Sequence, residues 1–348
     1  MHPSYWQVPL MKIDLRSDFT ARPTKAMVEA MVRAAEMPSG FGLREDPTVV
    51  RLEALAAEIL GKEDALFVPT CMMANQIAIH VCCRPGDVFL TEAEAHVVTS
   101  ESAAAAVLSG AMPRCVAAVN GAFDLDDLAA ALKPGAALVL QENTHVRSGG
   151  RVVAFEHMQA IAEMARAQGV PVHLDGARIF NAATALGRPA SDLAQLAETV
   201  SFNLNKGLCA PLGAILAGTS DFVNNALRVR QMFGGGWRPA GIPAAAGIVA
   251  LQSMIGRLAD DHRRAKRLAE KLATVDGIIV DPASTMSNIV LVRPTAMDPE
   301  TLSAALEKLG VLVLPFGPSV RLVTHREIDD NAVEETLHAF RSARNGDD

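Results

Sequence analysis

A chain of 348 residues is too long for one small core and suits two domains, or one large domain with an appendage. Half of the residues are hydrophobic, a fifth are charged and only 4% are aromatic, so the core must be built from Ala, Val, Leu, Ile and Met. The net charge of -7 argues against a nucleic acid or an anionic membrane as partner, since either calls for a basic face.

Cysteine usage and the first residues bear on the compartment. Cys71, Cys82, Cys83, Cys115 and Cys209 include no C-x-x-C pair, so no metal site and no redox motif is indicated, and an odd count reads as a reducing environment. The opening MHPSYWQVPL lacks a charged segment followed by an apolar one, and the apolar stretches are too short or interrupted to span a bilayer. A cytoplasmic protein is expected.

Along the chain, short apolar runs alternate with helix-like segments from about residue 48 to 260. ALFVPT (65–70) is followed by MMANQIAIHVCC, DVFLTE (87–92) by the alanine-rich TSESAAAAVLSG, and RCVAAV (114–119) by DLDDLAAALKP. ALVLQE (137–142) precedes EHMQAIAEMARAQG (156–169), and VPVHLDGA (170–177), TVSFNLN (199–205) and GAILAG (213–218) follow. Such alternation predicts βαβ units and a mostly parallel α/β sheet covered on both faces, with a ligand outside the carboxyl ends of the strands. Residues 242–275 read as one long, kinked helical region joining a small α+β domain of GIIV, NIVLVRP, DPETLSAALEKLG, VLVLPF, VRLVTH and a last helix near 330–344. The expected division is an N-terminal arm at 1–25, a large domain at 26–255 and a small one at 256–348.

Two stretches carry chemistry. In HLDGARIFNA (173–182), Asp175 and Arg178 directly follow an apolar strand; alone they read equally well as a structural ion pair at a helix start. Lys206 lies thirty-one residues later in SFNLNKGLCAPLGA, among Leu204, Leu208 and Pro211, again just after an apolar run. It is either a turn residue at the surface or a lysine whose nitrogen is committed elsewhere, because a buried, unpartnered ammonium is costly. An acid and a lysine at neighbouring strand ends have a matched use: pyridoxal phosphate takes a Schiff-base lysine and an acidic partner for its pyridinium nitrogen. A desolvated pocket would keep that lysine neutral and nucleophilic.

With IDLRSDFTARPT, EDPTV, ENTH, HLDGARIFNA, NKGLCAPLG, GGGWR and VRLVTH in order, the sequence resembles the low-specificity L-threonine aldolases from about Lys12 to Ala343. These are pyridoxal 5'-phosphate enzymes of the aspartate-aminotransferase fold type. The resemblance implies that Lys206 holds the cofactor, Asp175 pairs with its ring nitrogen and His96 stacks on the ring face. It implies further that Glu101, Asn143 and His145 line the site. Ser17, Arg178 and Arg321 would clamp a substrate carboxylate, a task suited to a planar guanidinium. The implied reaction is retro-aldol cleavage of a β-hydroxy-α-amino acid to glycine and an aldehyde, with His96, His145 or a water as base. Shared active sites in a homodimer or homotetramer are implied too, with Arg238 supplied by a neighbouring subunit.

The match breaks at the phosphate loop. PTCMMAN places Cys71 and Met72 where the family has glycine and threonine, which removes a close backbone approach and a hydroxyl donor. Phe19, Leu43-Arg44, Val146, Asn205, Phe233 and Trp237 are further departures, and the bulkier ones predict a substrate preference or outcome different from threonine cleavage. The rival readings are another pyridoxal-phosphate reaction on the same scaffold, β-elimination or racemisation, and a non-catalytic relative that keeps the fold.

Overall fold

The computed structural model describes residues 13–345, so the opening residues read above for targeting lie outside them. The chain divides into two compact units: Arg22–Ala259, and the stretch up to Ala21 together with everything from Asp260 onward. The segment expected as an arm is thereby split. Ile13–Asp14 pairs in parallel with Val311–Leu312 of the smaller unit, whereas Thr24 caps the helix Lys25–Ala35 of the larger one by accepting the Met27 N–H at 3.2 Å.

The larger unit is built on a seven-stranded sheet. Its spatial order is Asp64–Val68, Ala214–Gly218, Thr199–Asn203, Val172–Asp175, Leu138–Glu142, Val88–Glu92 and Met112–Val116. The last five run parallel to one another. Ala214–Gly218 is antiparallel to both neighbours, because the loop 204–213 is shorter than the dozen or so residues that a parallel crossover needs. Strands such as Leu138–Glu142 are buried along their whole length, which is why they read as apolar runs rather than alternating ones. The helix Cys71–Cys82 lays Ala74, Ile77 and Ala78 against Leu66, Val68, Ala214 and Leu216 of the sheet.

One segment differs from the sequence reading. The alanine-rich stretch follows a short helix at His96–Thr99 and itself forms only a π-helical turn at Ala105–Ser109, with Ser102 and Ala103 before it at φ 54° and 57°. The Glu101 carboxylate, bonded inside the protein, turns the chain inward there against the helical preference of its alanines. The long helical region is interrupted after Ser253, as its expected kink implies, and no single helix among the described residues is long and apolar enough to cross a membrane.

The smaller unit carries a four-stranded antiparallel sheet of Ile278–Ile279, Ile289–Pro294, Ser319–Val323 and Leu314–Phe316. The helices Leu258–Leu272, Pro299–Lys308 and Asp330–Asn345 pack on it through a core that includes Leu268, Leu272, Leu302, Leu306, Val333 and Phe340.

The loop that carries Lys206 is closed at its base by the Leu204 N–H donating to the Gly213 carbonyl at 3.0 Å. Gly213 has φ 106°, and a Cβ there would run into the Phe67 ring. Gly213→Ala is therefore expected to cost about 1–3 kcal/mol, read as a lower urea midpoint with an unchanged slope.

Candidate active site

Asp175 ends a strand beside two others whose ends carry polar groups. It is level with Glu142 on one neighbour and with Ser201 on the other, and Lys206 follows five residues after Ser201. The carboxylate is 2% exposed; Oδ1 accepts the Ala177 N–H at 3.0 Å, and Oδ2 accepts Asn75 Nδ2–H at 2.7 Å. His96 and Glu101 complete the cluster, since polar side-chain atoms of His96, Glu101 and Asp175 all lie within 4.8 Å of one another.

Glu101 is the most heavily bonded of these groups. Its Oε1 accepts from Asn75 Nδ2 at 2.9 Å and pairs with His96 Nδ1 at 2.9 Å, while Oε2 accepts from Gln76 Nε2 at 2.7 Å. The backbone N–H of His96 donates to Glu142 at 2.7 Å, so main chain and ring of this residue are each held by a carboxylate. Burial pushes the His96 pKa down, but the Glu101 hydrogen bond and the charges of Asp175, Glu101 and Glu142 outweigh it and hold the ring above its ordinary value. Glu142 is raised by burial first and by the Asp175 charge next, against the opposing pull of His145 and of two backbone N–H groups.

Lys206 sits half-buried in its loop, where its carbonyl accepts the Cys209 N–H at 2.8 Å and the neighbouring Leu204 and Leu208 are buried. Its charge reaches Cys71. That thiol is pushed up by burial and by Asp175, while Lys206 pulls it the other way. Cys71 Sγ donates to Ser201 Oγ at 3.3 Å, and Met72 beside it points outward, 42% exposed. Cys71 opens its helix, with Thr70 as cap taking the Met73 N–H at 3.1 Å, so the remaining first-turn N–H groups face out of the helix end.

The other expected residues fall in distinct settings. Arg178 is buried immediately before the helix Ile179–Leu186. Asn143 spends its amide on the Val153 backbone, accepting its N–H at 3.2 Å and donating to its carbonyl at 3.0 Å. His145 has both ring nitrogens engaged, Nε2 with Glu92 at 2.7 Å and Nδ1 with Ser148 at 2.9 Å. Burial lowers its pKa, but Glu92 and Glu142 outweigh that and raise it. Arg238 lies over the Phe41 ring, 5.8 Å from its centre. Ser17 and Arg321 belong to the smaller unit, where Ser17 Oγ donates to Asp18 at 3.4 Å and Arg321 donates to the Arg16 carbonyl at 3.0 Å. Three of the departures are taken up by contacts, with Trp237 tilted against Phe67 at 5.1 Å, Phe233 meeting the His80 ring edge-on at 5.4 Å and Arg44 forking onto Asp64 at 2.8 Å, whereas Phe19 is 61% exposed.

Sequence reasoning missed Asn75, Gln76 and His173. Two adjacent amides in the middle of the apolar helix MMANQIAIHVCC are a signal, because buried amides need partners. His173 points to the same face of its strand as Asp175, two residues on. Its ring is fully buried, with Nδ1 on Thr199 at 2.8 Å and Nε2 on Asn75 at 3.1 Å, and burial pushes its pKa down to about 4.

These features define an α/β protein with an acid at one strand end and a lysine in the loop after the adjacent strand, and comparison with known proteins identifies the class. The profile of the beta-eliminating lyase family matches residues 14–295, and the chain belongs to that family of pyridoxal-phosphate-dependent lyases. Within it, the chain is 38% identical to low-specificity L-threonine aldolase 1 of Arabidopsis thaliana, covering 96% of this chain and 97% of that one. It is 36% identical to the low-specificity L-threonine aldolase of Escherichia coli K12, over 95% and 98% of the two chains. The threonine aldolase structure from Leishmania major superposes with a TM-score of 0.80 at 19% identity, over 94% of this chain and 98% of that one, a likeness of fold.

The residues present fit pyridoxal phosphate. Asp175 offers a buried carboxylate for a protonated ring nitrogen, the helix end at Thr70–Met73 offers N–H groups for a phosphate, and Lys206 offers an amine in apolar company.

His173 gives the folded protein an acid-sensitive core. The unfolded chain takes up a proton on this ring near its ordinary 6.5, whereas the folded one does so only near 4, so acid favours unfolding across that window. The stability advantage of the wild type over His173→Leu should shrink by up to about 3 kcal/mol between those two pH values, measured by urea unfolding of the cofactor-free protein.

Proposed function

We propose that this protein cleaves a β-hydroxy-α-amino acid (threonine, allo-threonine or a bulkier analogue) to glycine and an aldehyde. The observation that carries the reading is the buried cluster of Asp175, Glu101 and His96, with Lys206 in the loop after the adjacent strand. Pyridoxal phosphate, when bound, supplies an aldehyde that takes up amines and a ring that stabilises negative charge at Cα. Lys206 provides the amine that anchors it, and Asp175 keeps the proton on the ring nitrogen.

The base that takes the β-hydroxyl proton is assigned to His96. Its Nδ1 is held by Glu101 and its side chain is 32% exposed, which leaves Nε2 to face a substrate. His145, at 3% exposure and with both nitrogens engaged, is assigned to holding the adjoining turn. As His96 takes the proton, the oxygen electrons form the new carbonyl and the Cα–Cβ bond breaks. The pair left on Cα accepts a proton, which gives glycine. Glu101 stabilises the imidazolium that results.

Ser17, Arg178 and Arg321 remain assigned to the substrate carboxylate on the resemblance described above. A homodimer or homotetramer is part of the same reading. Val28, Val32, Met37 and Phe41 are exposed apolar side chains in the stretch 28–41, and Arg238 lies over Phe41, where a second copy of the chain would cover them. A cytoplasmic location is supported by five cysteines that form no disulfide.

Incubation with β-hydroxy amino acids should yield glycine and an aldehyde in equal amounts; pyruvate with ammonia, or the other enantiomer alone, would overturn the reading. Lys206→Ala should abolish turnover, and the cofactor of that variant should no longer be fixed to the chain by borohydride. Met72→Thr should restore a hydroxyl at the helix end and tighten cofactor binding about tenfold, measured by fluorescence titration of the cofactor-free protein.

A further inference from the structure

The seven-stranded sheet ends on two edge strands, and they are protected in different ways. Met112–Val116 carries Pro113 and Arg114, a proline and a charge of the kind that keep an exposed edge from pairing. Asp64–Val68 reads ALFV after its first residue and has neither. Ala214–Gly218 pairs with one side of it, and among the described residues no strand pairs with the other. Successive residues of a strand turn their N–H and C=O groups to opposite sides, so Ala65 and Phe67 present theirs along the outer one. Side chains take up all four groups. The Ala65 N–H donates to Asp64 Oδ1 at 2.8 Å, and its carbonyl accepts from Arg44 Nη2 at 3.1 Å. The Phe67 N–H donates to Glu53 Oε1 at 2.8 Å, and its carbonyl accepts from Arg230 Nη1 at 2.8 Å.

We propose that Arg44, with Glu53, Asp64 and Arg230, closes this edge as an interaction surface, and that the partner it shuts out is the same edge of a second copy of this chain. An apolar edge strand offers matching donors and acceptors to an identical strand laid antiparallel across a two-fold axis, so the surface is complementary to itself. The side chains that cover it come from separate elements and hold one another. Arg44 lies just before the helix Pro47–Leu60; besides its fork onto Asp64, its Nε donates to Glu53 Oε2 at 3.0 Å. Arg230, from the helix Ser220–Met232, also donates from Nη2 to the Leu43 carbonyl at 3.2 Å, which ties the loop at 43–44 down over the edge. Arg44 is thus the link among the four, bonded to two carboxylates and to the strand itself. Its loss would free the Ala65 carbonyl and leave Glu53, 1% exposed, without the cation bonded to it.

The test compares the full chain with its Arg44→Ala variant by hydrogen exchange and light scattering, with urea unfolding as a check of folding. The Phe67 amide should exchange about tenfold faster in the variant, because the Glu53 that bonds it is no longer held. The variant should also grow into assemblies larger than those of the wild type, at a rate that rises with protein concentration. In the assembled fraction the Phe67 amide should be protected again, as pairing of the edge requires and association through any other surface does not. Arg44→Lys keeps the charge without the fork; it should show the same effects to a lesser degree and serves where Arg44→Ala does not fold. A folded variant that keeps either the wild-type exchange at Phe67 or the wild-type assembly size would overturn the proposal. So would assemblies in which that amide exchanges as fast as in the unassembled variant.

Discussion

A carboxylate with almost no solvent is the constraint on which the rest of this structure depends. A buried carboxylate needs donors in place of the water it has lost, and the surroundings of Asp175 supply them. A backbone N–H and a side-chain N–H bond its two oxygens, and those donors come from different elements, the turn after its strand and the helix Cys71–Cys82. That helix is in turn fixed to the sheet by its apolar face. The polar face that it buries, Asn75 and Gln76, is tolerable only because Glu101 and Asp175 accept from it. Sheet, helix and acid cluster therefore depend on one another: packing brings the donors in, and the carboxylates give them partners.

Much of this was legible in the sequence. Strands buried on both faces print themselves as unbroken apolar runs, so ALVLQE, TVSFNLN and GAILAG mark strands whose ends differ by only a residue or two from those observed. What the runs do not encode is direction; the antiparallel setting of Ala214–Gly218 follows from loop length, not from its side chains. The alanine-rich stretch misleads for a different reason. Its local preference is helical, but Glu101 bonds to residues far away in the chain, and those bonds override it at Ser102 and Ala103. Asp175 and Lys206 stood out because charge after an apolar run is unusual. Asn75 and His173 did not, because uncharged polar residues break an apolar pattern only slightly.

The departure at Cys71-Met72 also looks different in three dimensions. The two residues enter as adjacent substitutions in one loop, yet they point opposite ways. Cys71 turns inward, its thiol kept protonated by burial and bonded to Ser201, and so it extends the polar floor beside Asp175. Met72 turns outward and leaves the helix end itself intact, with Thr70 still in place as its cap. The helix end thus keeps its cap and its free first-turn N–H groups, which is what the proposed phosphate contact asks of the backbone, and the side-chain hydroxyl expected at 72 is missing.

Two acid–histidine pairs stand close to one another in the chain fold, and the contrast between them is informative. His96 on Glu101 and His145 on Glu92 have similar bond lengths, 2.9 and 2.7 Å, and in both the carboxylate overcomes the effect of burial. Chemistry alone does not separate them. Accessibility does: the second nitrogen of His145 is taken by Ser148 and the ring is enclosed, with Gly121 packed so closely that a Cβ there would strike it. Glu142 links the pairs, accepting the backbone N–H groups of both His96 and Val146. A rigid, closed pair thus anchors the frame from which the open one projects. The same acid–imidazole contact is closed on both ring nitrogens in one place and half-exposed in the other, and the base role proposed for His96 rests on that difference.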